Sequence, residues 1–203
     1  MIAIITGDII NSRGYDTTEW MGRLKTCLSQ WGDTPKTWEI YRGDEIQLRL
    51  PIDEALFAAI RIKALMKTIK GLDIRMGIGV GTESFVGAGV SESNGTAYQR
   101  SGITLEALKE NKVNLMIATA DSEYNRTLNL MLKLASDFMD DWSTVSAEMV
   151  YLVLGNPEKS QQNLAEQLHI KQSAVSQRTK RARLDLVQEL LAYYKTTINS
   201  IQE

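Results

Sequence analysis

Gln161–Lys180 reads QQNLAEQLHIKQSAVSQRTK, a pattern of two short helices joined by a tight turn. Two helices that cross closely need a small residue at the crossing, and Ala165 supplies it. They also need apolar residues to lock them together, here Leu164, Leu168, Ile170 and Val175. The turn position commonly takes a positive φ, and His169 belongs to a residue type enriched there. A structural place in the turn leaves this lone histidine no catalytic role. The second helix, from Gln172 onward, has Ser173, Ser176, Gln177 and Lys180 on its outer side, able to reach base edges. The stretch therefore predicts a helix-turn-helix, with SAEMVYLVLG (Ser146–Gly155) as the helix before it.

Charge is an independent signal. From Lys171 to Arg183 there are five basic residues (Lys171, Arg178, Lys180, Arg181, Arg183) and no acidic one. The whole chain carries −2, which leaves −7 on the rest. Basic charge gathered on one helix of an otherwise acidic protein is what contact with phosphates requires. The expectation is that Arg178, Arg181 and Arg183 meet phosphate while Gln172, Ser176 and Gln177 face the major groove of double-stranded DNA. A solvated basic helix in an ordinary bundle is the alternative. One such motif buries little surface on DNA, so a homodimer reading two half-sites about 34 Å apart is expected.

Working outward toward the N-terminus, IAIITG is apolar without alternation and predicts a buried central strand ending at Gly7, followed by a polar loop, DIINSRGYD. Trp20, Met21, Leu24, Leu28 and Trp31 recur at helical spacing. TWEIYR and EIQLRLP alternate around Gly43-Asp44 and predict a hairpin. Asp53 is placed to cap ALFAAIRIKALMKTIK, with Gly71 at its C-terminal end. DIRMGIGVG predicts a strand with small residues on one face, completing a β-α-β-β-α-β order of the ferredoxin-like kind. A loop from Gly81 to Gly95, a helix from Thr96 to Glu110, a strand at VNLMIAT and a helix from Asp121 to about Asp141 follow. The predicted fold class is α+β, with a ferredoxin-like, palm-type βαββαβ domain over residues 1–141. A small all-α helix-turn-helix domain is expected over 142–203. The sheet and the Asp121–Asp141 helix are the expected dimer interface.

Composition narrows the function classes. A single cysteine, Cys27, allows no internal disulfide or Cys cluster for zinc, and a single histidine argues against a His-based triad. No stretch approaches a membrane span or a signal peptide, so the expectation is a soluble, cytoplasmic protein without a membrane partner. The acidic residues of interest are Asp8, beyond the first strand, and Asp44 with Glu45 in the hairpin. If the strand lies beside the hairpin, these carboxylates converge at one end of the sheet. Carboxylates fixed so can hold a divalent ion against phosphates. Asp and Glu in tight turns also serve turn chemistry.

These segments carry resemblances. AVSQRTKRARLDL (Ala174–Leu186) is similar to region 4 of sigma factors and to LuxR-type domains, with Thr179 where those families have an apolar residue. TGDIINSR resembles the first metal-binding strand of class III nucleotide cyclases, and YRGDEIQLRL resembles both their second-metal hairpin and the GGDEF signature of diguanylate cyclases. MGIGVG and GTAYQRSGITLEALKE are similar to the cyclase strand and following helix. The resemblance implies a palm-type domain in which Asp8, Asp44 and Glu45 hold Mg²⁺ or Mn²⁺ with a nucleotide. This chain departs from the pattern at Arg42, where GGDEF has glycine, at Ile40, where a base-reading lysine often stands, and at Gln99 and Ile103, where cyclases place asparagine and arginine. Arg100 could replace that arginine only in a shifted register. Without those groups the transition-state charge goes unstabilised, so nucleotide or metal binding without turnover is expected. Together, IITGDIINSR, the RGDE hairpin and QSAVSQR resemble the SatD-like family of small bacterial proteins. Three functions stand side by side. One is a DNA-binding transcriptional regulator with a sensing or dimerising N-terminal domain. Another is a metal-dependent nucleotidyl-transfer enzyme with an accessory helix-turn-helix. The third is an interaction module whose basic helix docks an acidic partner.

Overall fold

In a computed structural model describing residues 1–201, five strands and eight α-helices form a mixed α+β fold. The strands are β1 (Ile2–Ile10), β2 (Trp38–Tyr41), β3 (Glu45–Leu50), β4 (Asp73–Gly81) and β5 (Leu115–Ala118). The helices of the first part are α1 (Thr17–Leu28), α2 (Ala55–Lys67), α3 (Thr96–Asn111) and α4 (Ser122–Met139). Then come α5 (Thr144–Gly155), α6 (Gln161–Gln167), α7 (Gln172–Arg181) and α8 (Leu184–Thr197). The sheet order is β2-β3-β1-β4-β5, antiparallel throughout except for β5, which runs parallel to β4 after the α3 crossover.

β1 is central and covered on both faces, which is why its sequence shows no alternation. Ala3, Ile5 and Ile9 enter the main core with α1 and α2. On the other face Ile4 packs with Ala97 and Tyr98 of α3, and Thr6 shares a 2.8 Å hydrogen bond with Ser101. β4 follows the same division. Ile74, Met76, Ile78 and Val80 are core residues, while Gly77, Gly79 and Gly81 lie under α3. A methyl group at Gly79 would run into the backbone of Ala97 and Ser101, so small residues let the helix lie directly on the strand. The loop after β4 is pinned by Glu83, which accepts two hydrogen bonds from Arg49 (2.9 and 3.0 Å) and one from Tyr98. The Arg49 bonds hold the Glu83 carboxyl below its ordinary range, and burial pushes the Tyr98 phenol up to about 12.

Several expectations need correction. β1 runs on to Ile10, so Asp8 lies inside the strand, flanked by Glu45 on β3 and Arg75 on β4. Pairing on both sides extends the strand through a segment whose polarity suggests a loop. Asp53 caps nothing. It sits in a 3-10 turn, Ile52–Glu54, and α2 begins after it. Gly71 has φ +87 but stands beyond the Thr68 cap, in the turn into β4.

α2 is buried nearly all round because it is sandwiched between the sheet and α5. Within it Lys63 is fully buried, 2.7 Å from Asp73 and 2.7 Å from Asp140. Lys67 lies 3.2 Å from Asp73 and donates to the Asp140 carbonyl, and Asn114 donates to the Asp140 carboxylate. Two cations and two anions thus balance while tying α2, β4 and the end of α4 together.

The apolar core continues past residue 141. Trp142, Ala147, Val150, Leu154, Leu184, Val187 and Tyr194 join the same cluster as the sheet. Trp142 donates its indole N–H to the Ala182 carbonyl, and the Tyr194 hydroxyl donates to Ile52. α5 is apolar on two sides because it has two cores to fill. Ala147, Val150 and Leu154 face the first, while Met149, Leu152 and Val153 face a second made with α6 and α7. No described helix is long and apolar enough to cross a membrane.

Candidate nucleic-acid interface

α6 begins with a reciprocal cap. Ser160 accepts from the Asn163 N–H, and the Asn163 side chain accepts from the Ser160 N–H. At its other end His169 has φ +53, its N–H bonds Glu166 O, and the Ile170 N–H reaches Ala165 O at 3.0 Å. This pair of bonds is the Schellman closure, which reverses the chain tightly and leaves Ile170 over the small core. Leu164, Ala165, Val175 and Met149 are buried in that core, with Leu168 and Ile170 packed against it. Every residue expected to lock the two helices does so.

Only Val175 of α7 is buried, and its position fixes the opposite, outward face. At about 100° per residue, Gln172, Ser173, Ser176, Gln177, Lys180 and Arg181 fall on one exposed arc. Lys171 is exposed at the N-cap. Lys171, Lys180 and Arg181 form no ion pair among the described residues. The other two basic residues are turned aside. Arg178 leans toward α5, 3.9 Å from Glu148. Arg183 takes φ +51 at the bend into α8, and its guanidinium stands 5.7 Å over the Phe138 ring of α4. Neither neighbour, Glu148 nor Phe138, has a signal in the local pattern of residues 161–183.

The acidic candidates divide as well. Asp8 and Asp44 line one open cleft of about 540 Å³ with Asn11, Ser12, Arg13, Tyr15 and Arg75, whereas Glu45 is not part of its wall. Asp8 is 3.1 Å from Arg75, its cross-strand neighbour. Asp44 accepts a 2.6 Å hydrogen bond from Ser12, and Glu45 lies 3.8 Å from Arg42. Arg42 and Gly43 both have positive φ in the hairpin turn, and the Arg42 side chain extends into solvent. Among the described residues no group of three or more His, Cys, Asp and Glu is arranged to hold a metal ion. The donor set fits a divalent ion poorly, because a guanidinium already supplies the positive charge at Asp8. Ile103 is exposed on α3, and Arg100 donates to the Val80 carbonyl of β4.

An α+β molecule with a five-stranded sheet, a carboxylate cleft and an exposed basic helix is the class these features define. The SatD family model matches residues 1–193, and the chain belongs to the SatD family. No match is found among curated proteins or among solved structures.

Proposed function

We propose that this protein is a DNA-binding transcriptional regulator in which α6 and α7 form a helix-turn-helix and α7 enters the major groove. The observation that carries the reading is the outward face of α7, where six polar or basic side chains stand together and no acidic residue occurs between Lys171 and Arg183. Gln172, Ser173, Ser176 and Gln177 can exchange hydrogen bonds with base edges, and Lys171, Lys180 and Arg181 supply the phosphate contacts. On this reading the sheet with α1–α4 is a ferredoxin-like, palm-type domain spanning residues 1–141, and residues from 142 form the DNA-binding part of a homodimer. The β2-β3-β1-β4 order and its antiparallel pairing support the palm description.

Fluorescence anisotropy with duplex DNA across a salt series tests the reading. Three phosphate contacts per copy give a slope of log affinity on log salt near −3 per copy, roughly 0.9 per contact. Arg181→Ala reduces that slope by about one unit and weakens binding to all sequences alike. Unchanged affinity in both Arg181→Ala and Lys180→Ala would rule it out.

The second reading, nucleotidyl transfer with Mg²⁺ or Mn²⁺, has one observation in its favour: Asp8 and Asp44 line the same cleft. It requires pyrophosphate release from a nucleoside triphosphate that disappears in Asp44→Asn. The Arg75 contact favours the regulator instead, with the cleft left to a nucleotide effector bound without turnover.

A further inference from the structure

We infer that the groove between α4 and α8 is the surface through which two copies of this chain pair. The two helices run antiparallel. Tyr124 near the start of α4 shares a 3.1 Å hydrogen bond with Thr197 at the end of α8, while Phe138 near the end of α4 lies under Arg183 at the start of α8. Between these ends the two helices present one apolar groove of about 440 Å³, lined by Met131, Leu134, Phe138, Leu186, Leu190 and Tyr193. Leu134 is 66% exposed and Leu186 41%, and Leu130, one turn before Leu134, is exposed as well. α4 buries Leu128, Leu132 and Ala135 against the body of the protein, and Met131, Phe138 and Leu190 pack partly against it, which leaves Leu130, Leu134 and Leu186 as the apolar side chains turned outward.

The charges around the groove select the occupant. Asp137 of α4 and Arg183 and Glu189 of α8 line the groove beside the exposed leucines, and all three are exposed. One positive and two negative groups on one apolar face leave no attraction for nucleic acid, for an acidic peptide or for an anionic membrane. A contact about a two-fold axis sets a surface against itself and needs both signs on the same patch. A second copy of this chain meets that condition. The same pattern separates this face from α7, where the exposed charges are of one sign. Arg183, the last member of the basic run in the sequence, belongs to the groove by its contact with Phe138.

Size sets the strength. α8 is 14 residues long, or about 21 Å, and two helices side by side are about 20 Å wide. A footprint of about 400 Å² falls short of the roughly 800 Å² per partner of a standard specific interface. Pairing is therefore reversible and concentration-dependent, weaker than that of a standard interface.

Sedimentation velocity without DNA, from about 1 µM to about 1 mM, tests the proposal independently of whether α7 binds nucleic acid. A monomer–dimer transition is expected in that range. Leu134→Glu and Leu186→Glu each shift it at least about tenfold toward monomer, because each puts an unpaired charge into the contact. Their circular dichroism, and their melting at concentrations where the parent is monomeric, stay unchanged, because both side chains are exposed in the single copy. Ile103→Glu, on the equally exposed residue of α3, leaves the transition where it was. A monomer at every concentration would overturn the proposal and leave the groove to a different partner. A dimer indifferent to both groove substitutions would overturn it too, placing the contact elsewhere.

Discussion

Two groups of cations in this molecule meet opposite surroundings. Lys63 and Lys67 project from α2 among Asp73, Asp140 and Asn114, largely out of water. Lys171, Lys180 and Arg181 stand on the open face of α7 with no ion pair among the described residues. The first group is satisfied by the fold and matters to it. The second has no ion pair to hold in place, and its concentration on one helix suits the proposed contact with phosphates. Between these extremes lies the Asp8–Arg75 pair, partly buried at the end of the sheet, where a carboxylate expected to attract a metal already has its cation. Partnership, more than the presence of charge, separates residues that hold the structure from residues left open to solvent.

The contrast is broken or sharpened most strongly at Lys63. Lys63→Met removes one member of a buried network and leaves two carboxylates short of a partner, at a cost of about 3–5 kcal/mol. Urea unfolding measures it against Arg181→Ala, which stays within about 0.5 kcal/mol of the unaltered protein. Equal effects in the two variants would erase the distinction.

A smaller effect is expected at the intermediate site. Asp8→Asn takes the charge partner from Arg75, whose Nε is already buried without a hydrogen bond, and destabilises by about 1–3 kcal/mol. If repulsion between Asp8 and Asp44 dominated instead, the same variant would melt higher than the parent, and Mg²⁺ or Mn²⁺ would raise the melting temperature of the parent alone. The Arg75 contact predicts lower melting and no difference between the two in their response to metal.

The smallest effect belongs to the turn. His169 holds a left-handed conformation that glycine adopts without strain, so His169→Gly stabilises by a few tenths of a kcal/mol, up to about 1 kcal/mol. Thermal melting registers that change, while DNA affinity is unaltered because His169 lies outside the arc of α7. A loss of stability would mean that the imidazole contributes a contact of its own.

Local pattern carried much of this architecture. DIRMGIGVG marks β4 from its first residue to its last, and the hairpin and the start of α3 at Thr96 are equally plain. The turn at His169 was legible because one conformation and one small residue, Ala165, are demanded at fixed spacing. What sequence could not supply is register between distant segments. Arg75 faces Asp8 only because β4 pairs with β1 in one alignment, and nothing near either residue announces it. The basic run had the same difficulty. Its five charges look alike in the sequence, but Glu148 and Phe138, from helices elsewhere in the chain, turn Arg178 and Arg183 away from Lys180 and Arg181.

α5 has a consequence for reach. One of its sides is sealed into the core of the sheet and the other into the small core under α7. There is no tether between them and hence no slack. Any duplex read by α7 must accept the orientation that the rest of the molecule dictates, and two paired copies would hold their α7 helices at a separation set by shape alone. Inserting about five base pairs between half-sites, roughly half a helical turn, would put the second site on the far side of the duplex, out of phase with a protein that cannot twist to follow.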